Sequence, residues 1–483
     1  MSRSPEAPAR AVLRRRILGL ALPICAALVV GAAAQSVIAA LLGHMGDDAL
    51  YVRSVFIPVA FLVLALQEGL DISTQVGFAR LRGAQDVART RRTLGAFVRT
   101  GALVFAVTAL VIAVTAPWLA SLLDVPAEQR AQFVEFARWM AVASALTVPT
   151  TIAAAALRGW GRPGLSAILS VVAAVIQVGG VWLVGEVGGL GVMSVPLATA
   201  ASAVIGTAAA SIILLREGLA RGPRPASPTG VTAGETGEPG PTSSGVDVRG
   251  LLLGIGVPVG LSYLLLTVTN FVTVWILSSS GSSVVAGYGA AATVQTVLIV
   301  PAIGLAAAVG VVMNQQWGMG DLGLLPRTLR VGTTIVVGVY VTTGLLAFLT
   351  APLVARLMAA DPRVVEETEL YLRVVGPSLA GLGIVLFLLT LLEQLGHGPV
   401  AVALNVAYAA VSLGIGGILA RQGGGPEALY LVIACSNAVG VLVVLPLTSH
   451  LVRRKAAEVP ASPAGAEVEP ADVDRTIESG IDR

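Results

Sequence analysis

Long apolar runs alternate with short charged or turn-forming stretches along most of the chain. A helix takes about 20 apolar residues to cross about 30 Å of hydrocarbon. On that measure the first half predicts six spans, near 17–42, 54–79, 95–117, 132–157, 164–185 and 191–215. The second half predicts six more, near 251–277, 284–312, 331–353, 370–393, 399–420 and 428–450. Residues 251–320 contain no Asp, Glu, Lys or Arg, so this stretch must hold more than one span. The polar SSSGSS at 278–283 is the natural turn within it. Arg3, Arg10, Arg14, Arg15 and Arg16 precede the first apolar run in the manner of a secretory leader. Between Ile17 and Met45, however, His44 is the one acidic or basic residue, and that length can span, so the first helix is expected to be retained.

The halves read as two copies of one unit. Shifting the first by 235 residues places Pro23 on Pro258, Gly46 on Gly281, Gly69-Leu70 on Gly304-Leu305 and Gly83 on Gly318. It also places Asp86 on Asp321, Thr115-Ala116-Pro117 on Thr350-Ala351-Pro352, Arg138 on Arg373 and Gly161 on Gly396. Ungapped coincidence of Gly and Pro over such a length indicates duplication. Because six is even, both copies enter the membrane from the same side. The expected fold is therefore an all-α polytopic membrane protein with twelve transmembrane helices. Its two six-helix bundles are related by a pseudo-twofold axis along the membrane normal.

Charge distribution predicts sidedness. With the N-terminus cytoplasmic, all but seven of the 31 basic residues fall on the inner side; the seven are Arg53, Arg130, Arg138, Arg356, Arg363, Arg373 and Arg421. The positive-inside bias then puts both termini in the cytoplasm of a multi-pass plasma-membrane protein. The expected layout is a basic N-terminus at 1–16, a first bundle at 17–221 and a second bundle at 248–455. Residues 222–247 (GPRPASPTGVTAGETGEPGPTSSGVD) and the tail 456–483 lack the apolar content to fold and read as a disordered cytoplasmic linker and tail.

Composition narrows function. Charged residues make up 12% of the chain and the mean hydropathy is +0.84, against roughly 25% charged in soluble domains. No GxxxxGK[ST] loop, Cys/His metal cluster, nucleophile–base pairing or nucleic-acid fold is apparent. We therefore expect no enzyme activity, no bound cofactor and no nucleic-acid partner. Cys25 and Cys435 sit in apolar runs and read as small buried hydrophobes.

Several landmarks together resemble the multidrug and toxin extrusion (MATE) family. They are GLALP at 19–23 with its copy GIGVP at 254–258, GHMGDDAL at 43–50, GLDISTQVGFARLRGAQD at 69–86, GLAAAVGVVMNQQWGMGD at 304–321 and LRGWGRP at 157–163. The resemblance implies a V-shaped pair of lobes around a cavity. It implies export of small organic cations or amphiphiles in exchange for protons or sodium, by alternating access. The small-molecule substrate and the lipid bilayer are then the expected partners, and a monomer the expected state. Two alternatives remain: a lipid-linked intermediate flippase of the same superfamily, and a coupling-deficient, non-transporting homologue. The family's usual membrane acids are missing here. Their positions correspond to Ile38, to Val181 with Gln177, to Leu266 or Thr267, and to Leu382.

An antiporter needs a group whose proton or ion occupancy alters helix packing, and acids inside spans are rare and usually functional. Glu68 and Asp71 in QEGLDISTQ at 67–75 are the coupling candidates, on one helical face by their i,i+3 spacing. Gln67, Thr74 and Gln75 extend the polar patch. The bland alternative pairs the acids with Arg80 or Arg82. Glu393 reads as a solvated helix end. Gln35 and Asn270, equivalent under the 235-residue shift, are candidates to face each other across the cavity and contact substrate. Tyr263, Gln295, Asn405, Tyr408 and Asn437 are weaker candidates of the same kind. The sparse aromatic content makes no cage for a flat cation obvious.

Overall fold

A computed structural model describes residues 6–219 and 247–457. The expected tail at 456–483 and linker at 222–247 lie outside the described residues, apart from Asp247, Ala456 and Ala457. Within the described residues all regular structure is helical. Ten continuous apolar helices come first: α1 (Arg10–Met45), α2 (Asp48–Gly83), α3 (Val87–Leu122), α4 (Ala127–Gly159), α5 (Pro163–Val187), α6 (Gly191–Arg216), α7 (Val248–Ser278), α8 (Ser282–Gly318), α9 (Leu322–Met358) and α10 (Pro362–Gln394). The last apolar stretch, Gly398–Ala457, runs for 60 residues. Positive φ at Gly423 and Gly425 breaks it into α11 (Gly398–Leu419) and α12 (Gly425–Ala457), giving twelve spans. At 1.5 Å per residue the 36 residues of α2 reach about 54 Å, well beyond the hydrocarbon thickness, so helix ends project from the bilayer. The glycine-rich stretch at 179–191 contains a π-helical turn, Val181–Val187, a common site of helix bending.

The duplication seen in sequence is present in backbone geometry. Gly46 (φ 126°) and Gly281 (φ 114°) make the tight turns before α2 and α8. Gly161 (φ 81°) and Gly396 (φ 84°) make those after α4 and α10. Residues with a Cβ avoid these angles, so the matching glycines preserve the turn in both copies.

The two repeats are joined by a reciprocal exchange. Ile17, Leu20, Ala21 and Ile24 of α1 pack into an apolar core built by α8, α9, α10 and α12 of the second repeat. Leu251, Ile255 and Val259 of α7 pack into the core of α2, α3 and α4 in the first. Leu20 and Ile24 fall on Ile255 and Val259 under the 235-residue shift, so each repeat lends the same segment to its neighbour. Farther along α1, Ile38 and Leu42 return to the core of their own repeat.

Small residues make this interlock possible. A Cβ on Gly69 of α2 would lie 2.4 Å from the Gly256 carbonyl oxygen of α7. At the equivalent place, a Cβ on Gly304 of α8 would lie 2.3 Å from Cys25 Sγ of α1. Where α2 meets α8, a Cβ on Gly83 would stand 2.0 Å from the Gln315 carbonyl oxygen, and one on Gly318 would stand 2.1 Å from that of Arg80. These last contacts are symmetry mates, since Arg80 maps to Gln315 and Gly83 to Gly318. The pseudo-twofold axis therefore runs between the ends of α2 and α8.

Gly83→Ala and Gly318→Ala should each cost about 1–3 kcal/mol, because the opposing atom is backbone and cannot turn aside. Gly95→Ala, where a Cβ meets nothing within 4 Å, should stay within about 0.5 kcal/mol of the parent. Thermal unfolding of the purified protein in detergent checks this. Equal stability of all three variants would rule out the close crossing.

Candidate functional site

The polar patch anticipated on α2 forms, and most of its partners come from other helices. Close packing of α4 against α2 places Gly159 so that a Cβ would sit 2.2 Å from the Gln75 carbonyl oxygen. That approach brings Arg158 onto the patch. Its Nη2 pairs with Asp71 Oδ2, its Nε donates to Gln75 Oε1 at 3.0 Å, and its Nη1 donates to Ser166 Oγ at 3.1 Å. The planar guanidinium suits three acceptors held in fixed directions. Gln67 Nε2 donates to Thr151 Oγ1 at 3.1 Å, a second tie from α2 to α4. Asp71 is thus compensated inside the first repeat by Arg158, in place of the Arg80 or Arg82 pairing considered above.

Glu68 lies one turn earlier and turns toward α7. It is half-buried and lies beside Tyr263, which reaches from the second repeat into the core of the first. The neighbouring residue of α7, Ser262, donates to Glu393 Oε1 at 2.6 Å. Asn405 Nδ2 of α11 donates to Ser262 Oγ at 3.1 Å. Consecutive α7 residues therefore stand beside a carboxyl from each repeat, Ser262 as a hydrogen-bond donor to Glu393 and Tyr263 next to Glu68. Glu393 is only 4% exposed, which corrects the expectation of a solvated helix end. The reason is α10 itself: it remains helical through Gln394, also fully buried, before the Gly396 turn. The signal available in sequence was position 393 itself, which is the repeat equivalent of Arg158. That a partly buried basic position in one copy is a buried acidic one in the other points to a specialised site.

A second set of contacts closes the same end of the molecule. Arg16 Nη2 of α1 donates to Gln315 Oε1 at 2.6 Å, and Gln315 Nε2 donates to the Gly159 carbonyl at 3.0 Å. Arg80 Nε donates to Asn314 Oδ1 at 3.0 Å. Arg80 and Lys455 also flank the Trp317 ring, at 4.2 and 4.5 Å from its centroid, each cation facing the ring's negative quadrupole. Charged side chains thus tie α1, α2, α4, α8 and α12 together.

At the other end the repeats keep their polar groups to themselves. Gln35 is exposed, its Oε1 accepting from Arg53 Nη2 at 3.1 Å while its Nε2 donates to Gln177 Oε1 at 3.5 Å. Asn270 is exposed and accepts from the Tyr288 hydroxyl at 3.3 Å. The two are not in hydrogen-bonding contact with one another. Gln295 accepts from the Tyr371 hydroxyl at 2.5 Å, and Tyr408 donates to Asn437 Oδ1 at 2.8 Å. Tyr288, Tyr371 and Tyr430 pack edge-to-face, with centroids 5.6 and 4.9 Å apart. All three are buried, so they form core and not a cation cage. They come from α8, α10 and α12, and their sequence separation hid the cluster. Ile38 and Val181, where the resemblance would have put acids, are fully buried in one apolar cluster.

Comparison with known proteins accords with this architecture. Part of the chain aligns with the probable multidrug resistance protein NorM of Thermotoga maritima, at 23% identity over 125 residues; the match covers 26% of this chain and 27% of that protein. The chain therefore spans about a quarter of that relative's length in the alignment. Among solved structures, the Vibrio cholerae MATE transporter VcmN in its bent form superimposes with a TM-score of 0.83 at 18% identity, covering 93% of this chain and 99% of that one. A MOP superfamily transporter from Pyrococcus furiosus superimposes with a TM-score of 0.79 at 17% identity, covering 92% and 96%. At these identities the superpositions speak for the fold. A family model described as MatE matches residues 23–183 and 258–417, one stretch in each repeat. Two matched repeats, twelve spans and the superposed lobes agree: this chain belongs to the MatE family of multi-pass membrane transporters.

Proposed function

We propose that the protein is a proton-coupled antiporter that exports small organic compounds, cationic or amphiphilic, across the plasma membrane, with Glu68 as its coupling carboxyl. The carrying observation is the meeting of Tyr263 with Glu68, which brings the two repeats together across the α2–α7 crossing. Adding or removing a proton at Glu68 changes which partner must donate, so it acts on a contact between the bodies that move in alternating access. Asp71 suits this role less well, because Arg158 holds it as an ion pair within one repeat.

The alternative coupling ion, sodium, finds less support. Among the described residues no three His, Cys, Asp or Glu side chains gather as a metal site, and hard cations want several oxygen ligands together. The arginine-rich, closed end is the cytoplasmic one under the positive-inside rule. Gln35 and Asn270 then lie on the external side as candidate substrate contacts. Glu393 offers a second carboxyl beside the same segment of α7, in the other repeat.

Proteoliposomes bearing an imposed proton gradient and a fluorescent organic cation test the reading. Glu68→Gln should reduce proton-driven transport to the level of empty liposomes, while Tyr263→Phe slows it and leaves substrate binding in place. Undiminished transport by Glu68→Gln, or transport driven by sodium alone, would sink the assignment. Arg158→Gln should instead act on stability. It strands Asp71 within the membrane, at a cost of about 3–5 kcal/mol. The double change Asp71→Asn with Arg158→Gln should recover much of that loss in thermal unfolding. Additive losses in that cycle would show the pair to be energetically uncoupled.

A further inference from the structure

We propose that a cleft beside the first turns of α3 binds the headgroup of an anionic phospholipid. The space beside this helix has a volume of about 1000 Å³, and its described lining, which includes Asp86, Arg89, Arg91, Arg92, Leu94 and Arg99, comes from α3 and the turn before it. Asp86 is the one acid among these residues, and it is engaged by Arg89, Nε to Oδ2 at 3.1 Å. Arg91, Arg92 and Arg99 are exposed, and among the described residues no carboxylate lies in ion-pair contact with them. Arg89, Arg91 and Arg92 also occupy the first two turns of α3, where the helix dipole disfavours cations. Three guanidiniums without a carboxylate partner among the described residues, on one stretch of helix, form a site for a phosphodiester, which they can grip in two-point contacts.

The occupant is a lipid because of where the cleft opens. Arg92, Arg99, Leu103, Val107, Leu110 and Val114 follow one another at helical spacing along a single face of α3. The last four are apolar and 65%, 52%, 64% and 69% exposed, the surface that meets acyl chains. Arg99 stands one turn before Leu103, about 6 Å along the axis, which is headgroup level. The stripe thus passes without a break from acyl-chain contact to arginine. Basic clusters immediately beyond a span attract anionic lipid. The second repeat does not reproduce the cluster: Leu324, Pro326 and Thr334 stand where the first has Arg89, Arg91 and Arg99, leaving Arg327 as the match to Arg92. A general need for positive charge at this end of the bundle does not account for that difference. The site belongs to the first lobe alone and is independent of the transport reading above.

Native mass spectrometry of the full-length protein in detergent, titrated with phosphatidylglycerol, phosphatidylcholine or inorganic phosphate, tests this. The wild type should retain phosphatidylglycerol under activation that strips phosphatidylcholine, and retention should fall with salt. Arg91→Gln/Arg92→Gln/Arg99→Gln should weaken phosphatidylglycerol binding about tenfold or more, while Arg453→Gln/Arg454→Gln, a similar loss of charge at the same end, leaves it unchanged. A triple Arg→Lys variant keeps the charges that guide insertion and should show an intermediate loss, since it forfeits the guanidinium fork. Phosphatidylglycerol with a photoreactive acyl chain should label wild-type peptides within 94–107. The proposal is overturned if the triple Gln variant binds like wild type, if both Gln variants lose binding equally, if inorganic phosphate displaces the lipid at equal concentration, or if labelling avoids 94–107.

Discussion

The structure depends on backbone meeting backbone where α2 crosses α8. In a bilayer no hydrophobic force separates helix from lipid, so association rests on close van der Waals contact and on hydrogen bonds. Gly83 and Gly318 provide that contact on the pseudo-twofold axis, and Gly69 with Gly256 extends it to α7. Once these helices touch, Arg80 reaches Asn314, Arg16 reaches Gln315, and Tyr263 reaches Glu68. A wider crossing would leave each of these polar groups short of its partner.

The charge arrangement follows from the same geometry. Repeat-equivalent positions have diverged to opposite signs, Arg158 in one lobe and Glu393 in the other. Arg158 finds an anion on its own α2, whereas the matching stretch of α8 offers Ile303 and Ala306. Glu393 therefore rests on Ser262 and Asn405. The first lobe thus contains an internally neutralised pair, while each lobe presents one carboxyl to α7. Under the proposed reading this divides structure from coupling: Asp71 stabilises a lobe and Glu68 bridges two.

Much of the fold was legible in the sequence because its signals are periodic or local. Span lengths, the uncharged run at 251–320 and the glycine coincidences at 46/281 and 161/396 all translate into observed helices and turns. The site was legible only in part. Glu68, Asp71, Gln67 and Gln75 announce themselves as polar residues in an apolar run. Their partners Arg158, Tyr263 and Thr151 lie 83 to 195 positions away and are set by helix crossing, which no local pattern encodes. The burial of Glu393 was missed because a charge near a helix end ordinarily reaches water. Gln35 and Asn270 matched in the repeat but bond within separate lobes, since equivalence under a twofold axis does not imply contact.

The exchanged segments of α1 and α7 have a consequence for origin. Each six-helix unit has a groove that its own chain does not fill, and the segment that fills it comes from the other copy. A solitary ancestor of one unit could complete its interior only by joining a second molecule of itself, as domain-swapped partners do. Fusion of two such genes would have turned a concentration-dependent assembly into a permanent one, and freed the two acidic sites to diverge.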